Sequence, residues 1–332
     1  MAISTEPESD PPAPGWAKEP LIMRCDLLTN HPTPKPMTTS SSTLVIAALG
    51  YAAATSQAAL IADSFDTDSS GNYTVIDDSN AASGDGTADG TVAFAFDYST
   101  IGIPSAPRST GGTTLGLRMT ANDTANDAGA ADHTTAFHNL VLSGSYRITV
   151  DMFMQVEAAG GTTEFAHIGF ASDATDFLSI FTPVAGSGQF LAMTGDGGSS
   201  SDFRHFANGI PVAAGDASYL NSDNTTNATG DTYQSIFAGG DFPGSPGNRW
   251  TTLTIDVIEG GNVTYALDGT PIIQTPTESV SGRVGLGYAD VFSSVGPHSV
   301  VYDNFEVEAI PEPSSSLMGL LGLASLIVRR KR

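Results

Sequence analysis

Between Tyr146 and Glu157 the side chains fall into two interleaved sets. Tyr146, Ile148, Val150, Met152, Met154 and Val156 form one, and Arg147, Thr149, Asp151, Phe153, Gln155 and Glu157 the other. A period of two puts each set on its own face of an extended chain, so this stretch predicts a long strand with one buried side. Helical periodicity is nearly absent from the rest of the chain, while the two-residue period returns repeatedly. Leu253, Ile255 and Val257 alternate with Thr252, Thr254 and Asp256, and Glu259-Gly260-Gly261-Asn262 then turns the chain into Val263, Tyr265 and Leu267. Asp268-Gly269 turns it again into Ile272 and Ile273. Glycine and asparagine supply the backbone conformations that tight hairpins need, so these residues predict a three-stranded meander.

Val284, Leu286 and Tyr288 continue the pattern with Gly285 and Gly287 on the opposite face, and residues 299–308 close it. Earlier candidate strands are residues 73–76, 91–98, 115–120, 137–142, 164–171, 177–181, 188–193 and 233–238. So many short strands, separated by Gly, Asp, Asn and Ser, imply an all-β fold in which two antiparallel sheets pack face to face. Residues 79–90, 121–132, 194–201 and 215–230 are polar and read as rim loops.

This domain is expected over residues 63–308, a length that one sandwich can fill. It carries thirty Asp and Glu against six Arg and no Lys, in a chain of net charge −23. A surface so acidic repels nucleic acid and anionic lipid, both of which need positive potential, and favours solubility and divalent cations.

The two ends of the chain read differently from its body. Residues 43–54 are apolar and small, and Ser56-Gln57-Ala58-Ala59 is a small-x-small site of the signal-peptidase kind, with cleavage at Ala58 and Ala59, so residues 37–59 read as an export signal. Residues 1–36 contain eight prolines and no apolar period; they predict a disordered leader or an extension ahead of a true start at Met37. The single cysteine, Cys25, lies in that leader, so the exported part has no thiol chemistry. At the other end Pro311-Glu312-Pro313 precedes a twelve-residue apolar run, 317–328, and the closing Arg329, Arg330, Lys331 and Arg332. That run is shorter than the roughly 20 residues a spanning helix needs, and the basic cluster holds its end on the cytoplasmic side.

These three elements, in that order, closely resemble the PEP-CTERM sorting signal of Gram-negative bacteria, over residues 310–332. The resemblance implies an exosortase-type protease and a signal peptidase as processing partners. It also implies a transient inner-membrane anchor during transit and delivery to the cell surface or extracellular matrix. The body in turn resembles laminin-G/concanavalin A-like jelly rolls. The residues that carry this likeness are Trp250, Thr252, Leu253, Ile255, Leu267-Asp268-Gly269, Gly282-Arg283-Val284-Gly285-Leu286-Gly287 and Tyr302-Asp303-Asn304-Phe305, with Asp63-Ser64-Phe65-Asp66 and Tyr73-Thr74-Val75-Ile76 similar to the first strand of the group. The resemblance implies a class that binds glycans or proteins and sometimes hydrolyses polysaccharide.

Catalytic constellations are not visible. The hydrolases of this fold carry carboxylates two and then three residues apart on one strand, and no Glu-x-Asp-x-x-Glu run occurs; Glu157, Glu164, Glu259 and Glu278 stand alone. His133, His138, His167, His205 and His298 are scattered and read as surface imidazoles. The expectation is a non-enzymatic structural or adhesive protein of the envelope or exopolysaccharide matrix, with a carbohydrate-binding module and a polysaccharide-active enzyme as rivals.

Calcium is the one cofactor the residues suggest. Asp66, Asp68 and Ser70, followed by Gly71 and by Asp77 at the twelfth place, match the oxygen spacing of a calcium loop. Asp303, alternating with Val301, Phe305 and Val307 on an apparently apolar face, needs a hydrogen-bond partner, a counter-charge or a metal. In related sandwiches the last strand lies beside the first, which would join Asp303 to the Asp63–Asp68 region. Trp250, the only tryptophan outside the leader, is either core or a platform for stacking sugars of an extracellular polysaccharide. Phe203, Phe206, Tyr219 and Tyr233 are weaker platforms.

Overall fold

The computed structural model describes residues 59–79, 89–123, 132–157, 164–178, 188–195, 203–213, 215–220, 232–290 and 298–311. All belong to one compact unit, residues 56–332. The rest, including Ala58, Glu312, Pro313, the apolar run and the basic end, lie outside the described residues.

The first sheet is built from β1 (Ala59–Asp63), β3 (Val92–Asp97), β4 (Leu115–Met119), β6 (Tyr146–Gln155), β11 (Trp250–Val257), β12 (Asn262–Leu267), β13 (Thr270–Pro276) and β15 (Ser299–Ala309). Its order is β13-β12-β11-β6-β15-β4-β3, with β1 also beside β15. The second sheet holds β2 (Tyr73–Asp77), β5 (Asp132–His138), β7 (Glu164–Ser172), β8 (Gln189–Thr194), β9 (Phe203–Ala207), β10 (Ile210–Pro211) and β14 (Arg283–Asp290). Its order is β10-β9-β8-β7-β14-β5-β2. Every pairing within these ladders is antiparallel.

The two-residue period explains the core. Ile148, Val150, Met152, Leu253 and Ile255 from one sheet and Ile168, Phe170, Val284, Leu286 and Tyr288 from the other share one buried cluster. Each such side chain contributes roughly 1.5–3 kcal/mol by leaving water. The meander lies where the alternation placed it, with Leu253 opposite Leu267 and Tyr265 opposite Ile273. Tyr302 ties the layers together, its hydroxyl donating to the carbonyl of Gly287 at 2.7 Å.

Several expectations change. The first strand is Ala59–Asp63, which begins on the last residue of the predicted signal, and Asp63–Asp66 is its end and following turn. Residues 233–238 carry a short helix, α1 (Thr232–Ile236), in place of a strand, because an alternation of so few residues does not separate the two periods. Phe177 and Leu178 are not strand residues; they lie across the second sheet, where the Leu178 amide donates to Thr135 Oγ1 at 3.0 Å. β5 begins at Asp132, ahead of the predicted start at Phe137, because its polar residues 132–135 are buried and paired across the ladder.

Candidate functional site

The outer side of the first sheet is covered by residues 98–114, a strap held down by two carboxylates. Asp151 of β6 and Asp303 of β15 are register partners, and both are buried. Asp303 Oδ2 accepts hydrogen bonds from the Tyr98 hydroxyl at 2.9 Å and the Ser109 hydroxyl at 2.8 Å, and its Oδ1 accepts the Asn304 amide at 2.6 Å. Asp151 Oδ1 accepts Arg108 Nε at 3.0 Å and the Thr252 hydroxyl at 2.7 Å. Its Oδ2 accepts Asn304 Nδ2 at 3.0 Å and the Arg108 amide at 3.3 Å. The second guanidinium arm of Arg108 donates to the carbonyl of Asn304. Burial raises the Asp303 carboxyl above its ordinary range, opposed by the Ser109 and Tyr98 hydrogen bonds, with the nearby charge of Asp151 adding to the rise. Burial likewise pushes the Tyr98 phenol up to about 12.

Asn304 explains how two carboxylates come to lie here. It sits at φ 51°, in the left-handed region, and the β15 register shifts between Asp303 and Glu306. The bulge sends Phe305 and Val307 into the central core while Val301 packs with Tyr98, Ile103 and Phe153 under the strap. Asp303 therefore does not share a face with Phe305 and Val307 as the unbroken alternation implied. It is partnered by hydroxyls and an amide.

The strap forms one wall of a groove of about 570 Å³ that Trp250 also lines, together with Phe153, Gln155, Asp241, Asn248 and Arg249. Trp250 is half-buried. Its ring packs edge-on against Tyr98 at 5.4 Å and Phe153 at 5.5 Å, and its Nε1 donates to the carbonyl of Pro104 at 2.7 Å. Of the two readings of Trp250, core packing is present, and the same side chain also lines the groove. Asn248 braces the far wall: its Oδ1 accepts the Val156 amide at 3.0 Å, and its Nδ2 donates to the Val156 carbonyl at 3.1 Å and to Asp241 at 3.2 Å.

The residues predicted to hold calcium do not meet. Asp66 accepts from the Ser64 hydroxyl at 2.8 Å, and Asp68 accepts from the Ser70 amide at 3.0 Å, as in local turns. The backbone bond from Ser70 lowers the Asp68 carboxyl below its usual range. Asp77 ends β2, so at about 3.3 Å per residue it lies roughly 13 Å beyond Tyr73, where it accepts from Ser79. Asp303 belongs to the strap latch, although β15 does lie beside β1 as expected, with Asp63 opposite Phe305. The ligand set Asp66, Asp68, Ser70, Asp77 and Asp303 thus does not fit one ion. Among the described residues no three His, Cys, Asp or Glu side chains close into a cage for a metal.

The histidines also depart from expectation. His133, His167, His205 and His298 are buried rather than on the surface. Burial drives His167 down to about 3 and His205 down to about 4, so both are neutral. His298 lies 2.5 Å from Glu164, whose hydrogen bond raises it above the ordinary imidazole value. Phe203, Phe206 and Tyr219 are buried, so none offers a sugar-stacking face. Sequence reasoning missed Arg108, Asp151 and Asn304; a lone Arg before a Gly-rich stretch gives no signal of a partner 43 residues away.

Residues 309–332 match the PEP-CTERM protein-sorting motif, which indicates export, surface sorting and processing by an exosortase. Among the described residues no helix is long and apolar enough to cross a membrane. No curated protein matches the chain. Among solved structures it is similar to a Bacillus subtilis protein of unknown function with a galectin-like fold, at 11% identity and TM-score 0.41, covering 76% of this chain and 96% of that one. It is also similar to the cellulose-induced protein Cip1, at 10% identity and TM-score 0.44, covering 77% and 100%. The Bacillus subtilis carbohydrate-binding module CBM66 aligns at 13% identity and TM-score 0.35, covering 67% and 94%. The chain carries a PEP-CTERM sorting motif over residues 309–332, following a two-sheet antiparallel β-sandwich.

Proposed function

We propose that the protein is a non-enzymatic, surface-sorted component of the cell envelope or exopolysaccharide matrix, which adheres by taking neutral polysaccharide into the Trp250 groove. The observation that carries this reading is the groove itself. An aromatic ring fixed at its indole nitrogen stands beside a carboxylate, two amides and a guanidinium, the mixture that sugar recognition uses: an apolar face for the pyranose ring and convergent polar groups for its hydroxyls. Its position supports the same reading. Tyr146, at the start of β6, lies opposite Ala309, where β15 passes into the sorting motif, whereas Phe153 lies opposite Trp250. Seven residues of strand separate the two ends, roughly 23 Å, so the groove lies at the opposite end of β6 from Ala309. The close carboxylate pair on this face, Asp151 and Asp303, is hydrogen-bonded at all four oxygens, three of them by the strap and Asp303 Oδ1 by the Asn304 backbone amide. The acidic surface disfavours polyanions and leaves neutral glycans as the class that fits.

The test is binding of the purified chain to insoluble and soluble neutral polysaccharides. Wild type is retained and Trp250→Ala and Asp241→Ala are not, while Trp250→Phe, which keeps most of the ring packing, binds weakly with a native circular-dichroism spectrum. Retention of Trp250→Ala at the wild-type level, or no retention of wild type on any neutral glycan, overturns the reading.

A further inference from the structure

A second site lies at the rim where β2 and β5 of one sheet face β3 and β4 of the other. It is a cavity of about 160 Å³ lined by Asp77, Asp89, Asp132 and Thr134 among others. Asp132 and Thr134 are two residues apart on β5 and so point the same way, and the register sets Asp77 of β2 directly opposite Thr134. Asp132 Oδ2 accepts the amides of Asp89 and Asn122, each at 3.1 Å. Its Oδ1 is buried and, among the described residues, has no hydrogen-bond partner; the same is true of Thr134 Oγ1 and of both side-chain polar atoms of Asn122. The residues are hidden from solvent, with Asp132 3% exposed, Thr134 5% and Asn122 1%. Among the described residues no Lys or Arg side chain lines the cavity.

A buried carboxylate oxygen facing other carboxylates without a donor costs several kcal/mol, and three species can relieve it: a proton, water or a cation. A proton serves only at low pH. Water satisfies the lone pair and leaves the charge. A hard divalent cation answers both demands, because it takes six to eight oxygens and prefers carboxylate, hydroxyl and water.

We propose that this rim cavity binds one calcium ion, taken by Asp132 Oδ1 and Thr134 Oγ1, with the carboxylates of Asp77 and Asp89 balancing its charge and water completing the shell. No three carboxylates cage the ion, so the site is a half-hydrated one. At about 30 Å³ per water the cavity holds roughly five. Few protein ligands place it in the weak class of extracellular calcium modules, with Kd on the order of 10⁻⁴–10⁻³ M.

The experiment is thermal unfolding of the purified full chain at pH 8 in chelator and then in ~10 mM calcium or magnesium, with calorimetric titration of calcium. Calcium is expected to favour the folded state by about 10–100-fold and raise Tm by roughly 3–10 °C, with a smaller effect of magnesium, which tolerates irregular shells poorly. Asp132→Asn abolishes the shift and melts higher than wild type in chelator, since it removes an uncompensated buried charge; Thr134→Val weakens calcium binding several-fold. Asp68→Asn keeps the full shift. An unchanged wild-type melt between chelator and calcium overturns the site, as does a full shift in Asp132→Asn. Should Asp132→Asn not fold, wild-type affinity in Thr134→Val overturns it equally.

Discussion

Arg108→Met tests whether the strap latch is a desolvated ion pair or an ordinary surface contact. The guanidinium Nε lies 3.0 Å from Asp151 Oδ1, and the Asp151 side chain is wholly buried while that of Arg108 is 30% exposed. Removing one partner of a buried pair costs about 3–5 kcal/mol, because the other charge is left without compensation. Asp151 would keep the Thr252 hydroxyl, the Asn304 amide and the backbone amide of residue 108, so the loss belongs near the lower end, about 3 kcal/mol. In a domain of this size each kcal/mol moves Tm by roughly 2–4 °C, so Arg108→Met should melt about 6–12 °C lower. Urea unfolding should show a lower midpoint with an unchanged slope. The double variant Arg108→Met/Asp151→Asn should be more stable than the additive sum of its single changes, since the stranded charge is gone. Because the strap walls the groove, glycan retention should weaken in parallel. A cost below about 1 kcal/mol, the level of an exposed ion pair, or strict additivity in the double variant, would refute the reasoning.

Three further outcomes follow from the geometry. His298 is raised by its hydrogen bond to Glu164, with Glu157 and Asp290 adding and burial opposing. A raised histidine contributes stability that is fully present below its unfolded value near 6.5 and disappears as pH rises through the folded value, so His298→Gln should melt well below wild type at pH 5.5 and close to it at pH 9. A gap of equal size at both pH values, in parallel thermal melts, would show that the pair does not act this way. Gly287→Ala would set a methyl 1.9 Å from His167 Nε2 and 2.7 Å from the Thr134 carbonyl, and since the carbonyl belongs to a paired strand, a loss of about 1–3 kcal/mol in urea unfolding is expected. Deleting residues 312–332 should leave Tm within about 1 °C of the full chain, because among the described residues the final ladder contact is Ala309 with Tyr146 and the last backbone tie is the Ile310 amide to Ser145. A larger drop would mean that the sorting tail contributes to the fold.

The legible part of this protein is the part governed by local periodicity. The alternations in β6, β11, β12 and β14 are regular, and each lies in a ladder with the expected face inward. The alternation of β15 was legible only as far as Asp303, because the shift at Asn304 depends on a left-handed residue whose side chain reaches Asp151 on the neighbouring strand. The candidate site was half visible. Trp250 stood out as the domain's only tryptophan, but its groove is made by residues 98–114, which reach it through contacts more than a hundred residues apart in sequence. The buried histidines escaped for the same reason, as does the Asp132 cavity, whose walls come from β2, β3 and β5 and from the residues just before β3 and just after β4.

Local chemistry alone thus determined the class of fold, the acidic surface and the sorting motif, since alternation, charge and a short terminal motif are properties of neighbouring residues. Tertiary structure decided which carboxylates are buried, what Trp250 packs against and where a buried carboxylate oxygen is left without a donor among the described residues. The physical reason is that a polar group's cost or use depends on the partners that desolvation brings to it, and those partners come from distant strands.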